Sequence, residues 1–273
     1  MPEFPLPASL VAQASFSPKG NNQAPGYTLL AVADGIGSHP RAEVGAGIAI
    51  EAAVRAFRAL VDPNAAHPRD LVAAAAAALG LFAEKEGIAP AERERTLGTT
   101  LICAVETPDE IRLGWVGNGS AFLIRPSLLG SDGTPAAAWA ATNLLSPHCT
   151  GRNGKSVLAR FLSAAGPGPA TEPTTLTLAR DRRRGEILLL CTDGLFSADQ
   201  VTVGTDDQGK VWQLVDPALP RVLSVLAPWA AGAAVSGDEM SVALAACLEA
   251  LDRDHLLEDD CTVAVLCSRG REA

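Results

Sequence analysis

Three aspartates that lie far apart in the chain, each beside a short apolar run, are the side chains best suited to chemistry. Asp34 follows Leu29-Leu30-Ala31-Val32-Ala33, and Asp193 follows Ile187-Leu188-Leu189-Leu190-Cys191-Thr192. Asp259 stands just before Thr262-Val263-Ala264-Val265-Leu266. Apolar runs of this length read as buried strands, and strand ends hold side chains rigidly. Asp34 and Asp193 each precede a glycine, Gly35 and Gly194, which lets the backbone turn sharply beside a ligand. Three carboxylates brought together in a partly dry site repel one another unless a cation neutralises them. The leading inference is therefore a metal site built from oxygens. The alternative is that each Asp is a separate turn residue at a strand end.

The elements that must position these groups follow from pattern. Strands are expected at 8–16, 27–33, 97–106, 111–116, 121–124, 174–179, 186–192 and 261–267. Helices are expected at 41–61, 68–86, 218–231 and 239–252, with a short one at 157–165. Residues 126–138 and 197–210 read as loops. Strands come in antiparallel-looking pairs and helices in pairs, which is α+β rather than regular βαβ alternation. No repeat and no domain boundary is visible, so a single domain over 1–273 is expected.

With 48% hydrophobic and 19% charged residues, the 273-residue chain has the composition of a folded globular protein. Aromatics are only 4%, so Ala, Val and Leu must build the core. A net charge of -9 argues against non-specific binding to nucleic acid or anionic membranes. The cluster Arg180, Arg182, Arg183, Arg184 is a local exception that reads as a solvated loop. The longest apolar run, Val72 to Ala83, falls short of the ~20 residues a spanning helix needs. Met1-Pro2-Glu3-Phe4-Pro5 lacks the basic and apolar regions of a signal peptide. The six cysteines form no C-x-x-C pair and read as buried free thiols, so the cytoplasm is the expected location.

Six short motifs in order carry a family resemblance over residues 19 to 266. They are Lys19-Gly20-Asn21-Asn22-Gln23-Ala24, Ala33-Asp34-Gly35-Ile36-Gly37-Ser38-His39-Pro40-Arg41-Ala42-Glu43, and Leu97-Gly98-Thr99-Thr100. Then come Val116-Gly117-Asn118-Gly119-Ser120-Ala121-Phe122, Leu188-Leu189-Leu190-Cys191-Thr192-Asp193-Gly194-Leu195, and Asp259-Asp260-Cys261-Thr262-Val263. Together the set resembles the metal-dependent protein phosphatases of bacterial type, the protein phosphatase 2C family. The resemblance implies a four-layer α/β/β/α sandwich of two antiparallel sheets flanked by helix pairs. It also implies two Mn²⁺ or Mg²⁺ ions, with Asp34 bridging them, the Gly35 carbonyl on one, and Asp193 and Asp259 completing the shell of the other. Two such ions, about 3.5–4 Å apart, lower the pKa of a bridging water that attacks phosphorus in line.

Departures from the family pattern are as informative as the matches. Lys19 replaces the arginine that would fork onto the substrate phosphate, keeping charge but losing bidentate geometry. Ala24 replaces an acidic residue that holds metal-bound water. Asn118 and Ser197 replace the two aspartates of a third metal position, so a third ion should bind weakly or not at all. Asp260 replaces an asparagine and adds acidity. The region 143–160, where the family carries a mobile flap, is short and lacks the family's pattern.

His39 is a candidate proton donor to the leaving oxygen, or else a residue that only hydrogen-bonds its loop. Glu43 is either in the metal's outer shell or simply favourable to a helix N-terminus. His148, Cys149 and Arg152-Asn153-Gly154-Lys155 read as a solvated loop rather than a phosphopeptide contact. His67 and His255 have no evident partner.

The implied activity is a phosphoserine/phosphothreonine protein phosphatase acting on a phosphorylated protein, a kinase or a kinase target, with no nucleic-acid or membrane partner. One alternative is a pseudophosphatase, a binding or regulatory module with little turnover, which Ala24, Asn118 and Ser197 favour. Another is a metal-dependent hydrolase of small phosphate esters.

Overall fold

The structure, a computed structural model, describes residues 9–16, 27–60, 62–126, 139–152, 155–181, 185–198, 202–205, 211–214, 217–230, 236–257 and 259–269. Two antiparallel sheets dominate it. The first has the order β1 (Ser9–Phe16), β2 (Tyr27–Asp34), β4 (Leu101–Glu106), β5 (Glu110–Val116), β11 (Thr174–Ala179). The second has the order β15 (Val263–Arg269), β12 (Gly185–Cys191), β6 (Ser120–Pro126), β7 (Trp139–Asn143). Helices α1 (Ala42–Arg58) and α2 (Pro68–Lys85) pack on the first sheet, and α4 (Ala218–Ala230) and α5 (Gly237–Arg253) on the second.

Strand periodicity explains the layering. Side chains along a strand point alternately to opposite faces. In β2, Leu29, Ala31 and Ala33 pack with α1 and α2, while Leu30 and Val32 face the other sheet. In β12, Ile187, Leu189 and Cys191 pack with α4 and α5, while Leu188 and Leu190 face inward. Both strands are buried on two faces, which is why their sequences are unbroken apolar runs. The three resulting cores, helix–sheet, sheet–sheet and sheet–helix, form the expected four-layer sandwich. Asp34 is the next even-numbered residue after Leu30 and Val32, so the same alternation aims it between the sheets.

Helix termini follow local chemistry. His67, which has no evident partner in the sequence, caps α2: its Nδ1 accepts from the Arg69 amide at 3.2 Å. Ser236 and Glu239 form a capping box that starts α5 at Gly237.

Several expectations are corrected. Residues 157–165 are not helical: β9 (Lys155–Leu158) pairs with β8 (Cys149–Arg152), and β10 (Leu162–Ser163) pairs with β3 (Gly98–Thr99). Within the stretch expected to be a loop at 197–210, β13 (Thr202–Thr205) pairs with β14 (Val211–Leu214). A short helix, α3 (Arg93–Thr96), precedes β3.

Arg180 is not in a solvated loop. Its guanidinium lies 2.7 Å from the Glu106 carboxylate of the first sheet and 3.9 Å from Glu186 of the second. Arg125 holds Glu186 through Nε at 2.8 Å and a second nitrogen at 2.6 Å, and the Glu186 side chain is 1% exposed. This buried network joins the sheets at the end of the sandwich away from Asp34 and Asp193. Removing one partner of such a network leaves the others desolvated, at a cost of roughly 3–5 kcal/mol. Glu186→Ala should therefore lower the melting temperature by about 6–20 °C, at ~2–4 °C per kcal/mol. Thermal denaturation checks this, and a change within a degree or two would show the network to be dispensable.

Candidate active site

Asp34 is fixed by backbone rather than by chance. Its amide donates to Thr100 Oγ1 at 3.2 Å, while its carbonyl accepts from the Thr100 amide and from Thr99 Oγ1, each at 2.8 Å. Gly35 continues this pairing through a bridge to Thr99. A Cβ on Gly35 would stand 2.6 Å from the Ala42 carbonyl carbon, so only glycine lets α1 begin this close to the strand end.

Thr192 joins the other two acidic segments. The Thr192 amide donates to the Thr262 carbonyl at 3.1 Å, and the Thr262 amide returns to Thr192 Oγ1 at 2.9 Å. Thr192 Oγ1 donates to the Asp260 carbonyl at 3.3 Å. The Asp193 turn is thereby clamped to the Asp259-Asp260 segment. Gly194 lets the two touch: a Cβ there would lie 2.4 Å from the Asp260 carbonyl oxygen and 2.9 Å from that of Asp259.

The electrostatics show that these segments meet. Burial, a hydrogen bond to Asp193 and the charges of Asp193, Asp259 and Asp260 push the Asp34 carboxyl up to about 9. Asp34 is 8% exposed, and this shift favours its protonated form at neutral pH, hydrogen-bonded to Asp193. On the other side, Asn118 Nδ2 donates to Asp193 Oδ2 at 2.6 Å. Asp259 Oδ1 accepts from the Asp260 amide at 2.8 Å.

Among the described residues no three His, Cys, Asp or Glu side chains are already gathered around one point as an ion would need. The Asp34–Asp193 pair is the centre, and Asp259 and Asp260 act on it electrostatically. The donors nonetheless suit Mn²⁺ or Mg²⁺, being hard oxygens whose mutual repulsion a dication relieves. The raised Asp34 carboxyl beside Asp193 marks where positive charge is wanted.

The family described as protein phosphatase 2C matches residues 19–249. The chain belongs to the protein phosphatase 2C family. Solved structures share the fold at low identity. A bacterial serine phosphatase is 15% identical, with a TM-score of 0.60 over 97% of this chain and 100% of that one. The Mycobacterium tuberculosis serine/threonine phosphatase PstP/Ppp is 20% identical, with a TM-score of 0.56 over 96% and 99%. The PstP catalytic domain in complex with two manganese ions is 18% identical, with a TM-score of 0.55 over 96% and 100%. Comparison with curated protein sequences gives no match.

Within this protein phosphatase 2C fold, the remaining sequence candidates fall into place unevenly. Lys19 and Ala24 lie outside the described residues. His39 packs its ring on Gly98, where a Cβ would be 2.2 Å from Nδ1, and meets Phe161 edge-on at 5.7 Å. Its Nδ1 is buried without a hydrogen-bond partner among the described residues, and burial lowers its pKa against the opposing pull of Glu94. This is the environment of a packing residue. Glu43 lies in the first turn of α1, where its charge favours the helix N-terminus.

Asn118 and Ser197, which the resemblance puts at a third metal position, do meet: the Ser197 hydroxyl donates to the Asn118 carbonyl. The Asn118 amide thus presents a donor, not a carboxylate, to Asp193. Asn118→Asp with Ser197→Asp should add a weak further Mn²⁺ event in calorimetric titration. An unchanged isotherm would show that lost charge is not what limits a third ion.

His148, which the sequence places in a solvated loop, is instead half-buried. It stacks on Trp115 with ring centroids 6.0 Å apart and planes 7° apart. Burial and the Arg160 charge push its pKa down to about 4, so the ring is neutral at physiological pH. Its sequence neighbourhood gave no sign of this, because its partners are distant in the chain.

Proposed function

We propose that this chain is a metal-dependent phosphoserine/phosphothreonine protein phosphatase. The carrying observation is the convergence of three acidic segments. Asp34 at the end of β2 meets Asp193, whose turn is clamped to the Asp259-Asp260 segment through Thr192 and Gly194, and burial with these neighbouring carboxylates raises the Asp34 pKa. Asp34, Asp193 and Asp259 would hold two Mn²⁺ or Mg²⁺ ions, with the Gly35 carbonyl assisting and Asp260 adding charge. When bound, such ions acidify water and stabilise charge on phosphoryl oxygens. The complex of the PstP catalytic domain with two manganese ions supports a pair of ions in this fold.

The chain's own residues set the conditions. Thr99 and Thr100 fix the Asp34 peptide, Asn118 orients Asp193, and the Asp34 proton must leave before the carboxylate can act as a ligand. Covalent catalysis by cysteine has little support here. Burial raises the Cys191 thiol and, with the Asp34 charge, pushes Cys261 up to about 12, so neither is a thiolate at neutral pH. Lys19 would contact the substrate phosphate. The substrate would be a phosphorylated Ser/Thr protein, a kinase or a kinase target, in the cytoplasm. No helix among the described residues is long and apolar enough to cross a membrane.

One observation favours a regulatory module with little turnover: the Asn118 amide occupies Asp193 Oδ2. Incubation with Mn²⁺ and a phosphothreonine peptide, beside an aryl phosphate, separates the readings. Phosphate release that chelator abolishes and that favours the peptide is expected. No release, with metal-independent binding of the phosphoprotein, would favour the module, and preference for the small ester would favour a small-molecule hydrolase.

A further inference from the structure

The Gly117-Asn118 turn is held from three sides. Asn118 donates to Asp193. Thr100, which accepts from the Asp34 amide, packs under Gly117 so closely that a Cβ there would be 2.5 Å from Thr100 Cβ. Gly117 has φ +124°, a conformation few other residues adopt. The third side is His148. Its amide donates to the Gly117 carbonyl at 2.9 Å, and the Gly117 amide donates back to His148 Nδ1 at 3.2 Å.

These bonds fix the ring's tautomer. Nδ1 accepts, so it carries no proton, and Nε2 carries the proton and donates to Thr174 Oγ1 at 2.8 Å. Arg160 lies alongside, 3.3 Å from Nε2 and 3.5 Å from Thr174 Oγ1. The same histidine anchors the β8–β9 hairpin, because its carbonyl accepts from the Ala159 amide at 2.7 Å.

We infer that His148 is a positioning residue that, through the Gly117 amide, fixes the Asn118 side chain on Asp193 and ties the β8–β9 hairpin to the acidic cluster. The geometry is a continuous chain of bonds from hairpin to carboxylate. Loss of the Gly117 contact frees the turn to rotate and takes the Asn118 amide away from Asp193. The significance for turnover rests on the phosphatase reading, but the bond pattern does not.

The test compares two substitutions on the metal-free protein by NMR. His148→Asn places an oxygen near the Nδ1 position and keeps an acceptor for Gly117. His148→Gln reaches toward Thr174 instead and leaves the Gly117 amide without one. In H148N the Asn118 side-chain NH₂ signals should stay at wild-type positions. In H148Q they should move toward solvent-exposed values, with Gly117 amide exchange about tenfold faster. With Mn²⁺ and phosphopeptide, H148Q should lose about tenfold in kcat with little change in KM. Equal behaviour of the two variants, or an unmoved Asn118 signal in folded H148Q, overturns the inference. Should H148Q not fold, long-range ¹H–¹⁵N correlation in the wild type decides: a protonated Nδ1 overturns it, an unprotonated Nδ1 supports it. Because the NMR readouts need no turnover, an inactive protein would sink the phosphatase reading and leave this one standing or falling separately.

Discussion

Asp34→Asn should abolish metal-dependent phosphate release, by at least ~10³-fold, while making the metal-free protein more stable. Both effects come from one cause. The Asp34 carboxyl, at about 9 in the folded protein against an ordinary 3.8, binds its proton more tightly folded than unfolded. The folded state therefore holds the extra proton between these values, and the stability of the metal-free protein falls as pH rises through that window. Asparagine needs no proton, so the variant escapes the penalty. At pH 8 it should melt above the wild type by several degrees, on the order of 1–3 kcal/mol after mutual relief within the cluster. At pH 4 the two should coincide. Phosphate release and melting curves at both pH values check this, and a variant that is inactive yet also less stable at pH 8 would contradict the convergence of carboxylates.

Gly194→Ala is the second substitution with a large expected effect, although it touches no carboxyl group. The added methyl would overlap the Asp260 carbonyl oxygen at 2.4 Å, its carbon at 2.8 Å and the Asp259 carbonyl oxygen at 2.9 Å. All three are backbone atoms, so relief requires moving the Asp259-Asp260 segment away from Asp193. Overpacking of this kind costs about 1–3 kcal/mol. A displacement of the order of 1 Å in a positioned site costs about 10²-fold in rate. The expected result is a folded protein with a modestly lower melting temperature and kcat/KM reduced ~10²-fold. Near-normal kcat/KM would mean that the Asp259 segment contributes little. Gly37, where a Cβ would meet nothing within 4 Å, is the matched control.

Much of the scaffold was legible because burial on two faces leaves a plain mark. The unbroken apolar runs of β2 and β12 revealed both the strands and the positions of Asp34 and Asp193 at their ends. The pairing of helices was equally visible in the spacing of apolar residues over α1 and α2. What failed were segments whose conformation is decided by distant partners. Val157-Leu158-Ala159-Arg160-Phe161-Leu162 spaces its apolar residues as a helix would, but Leu162 pairs with Thr99 and Val157 with Thr150. Trp139–Asn143 is a strand because β6 offers it an edge, which nothing in its own sequence announces.

The site shows the same division. Aspartates beside apolar runs advertise themselves, whereas the residues that orient them do not. Thr99, Thr100 and Thr192 are ordinary by type and act through bonds to residues some 65 to 70 positions away. Arg180 and His148 look like loop residues in sequence, yet one bridges the sheets and the other supports the Gly117 turn.

Calorimetric titration of Mn²⁺ into the metal-free protein near pH 7 probes the two-ion site itself, since binding must displace the proton on Asp34. In buffers of different ionisation enthalpy, the expected result is two ions per chain, release of about one proton, and loss of binding in Asp34→Asn. Titrations that show no binding, no proton release, or no response to the substitution would contradict it.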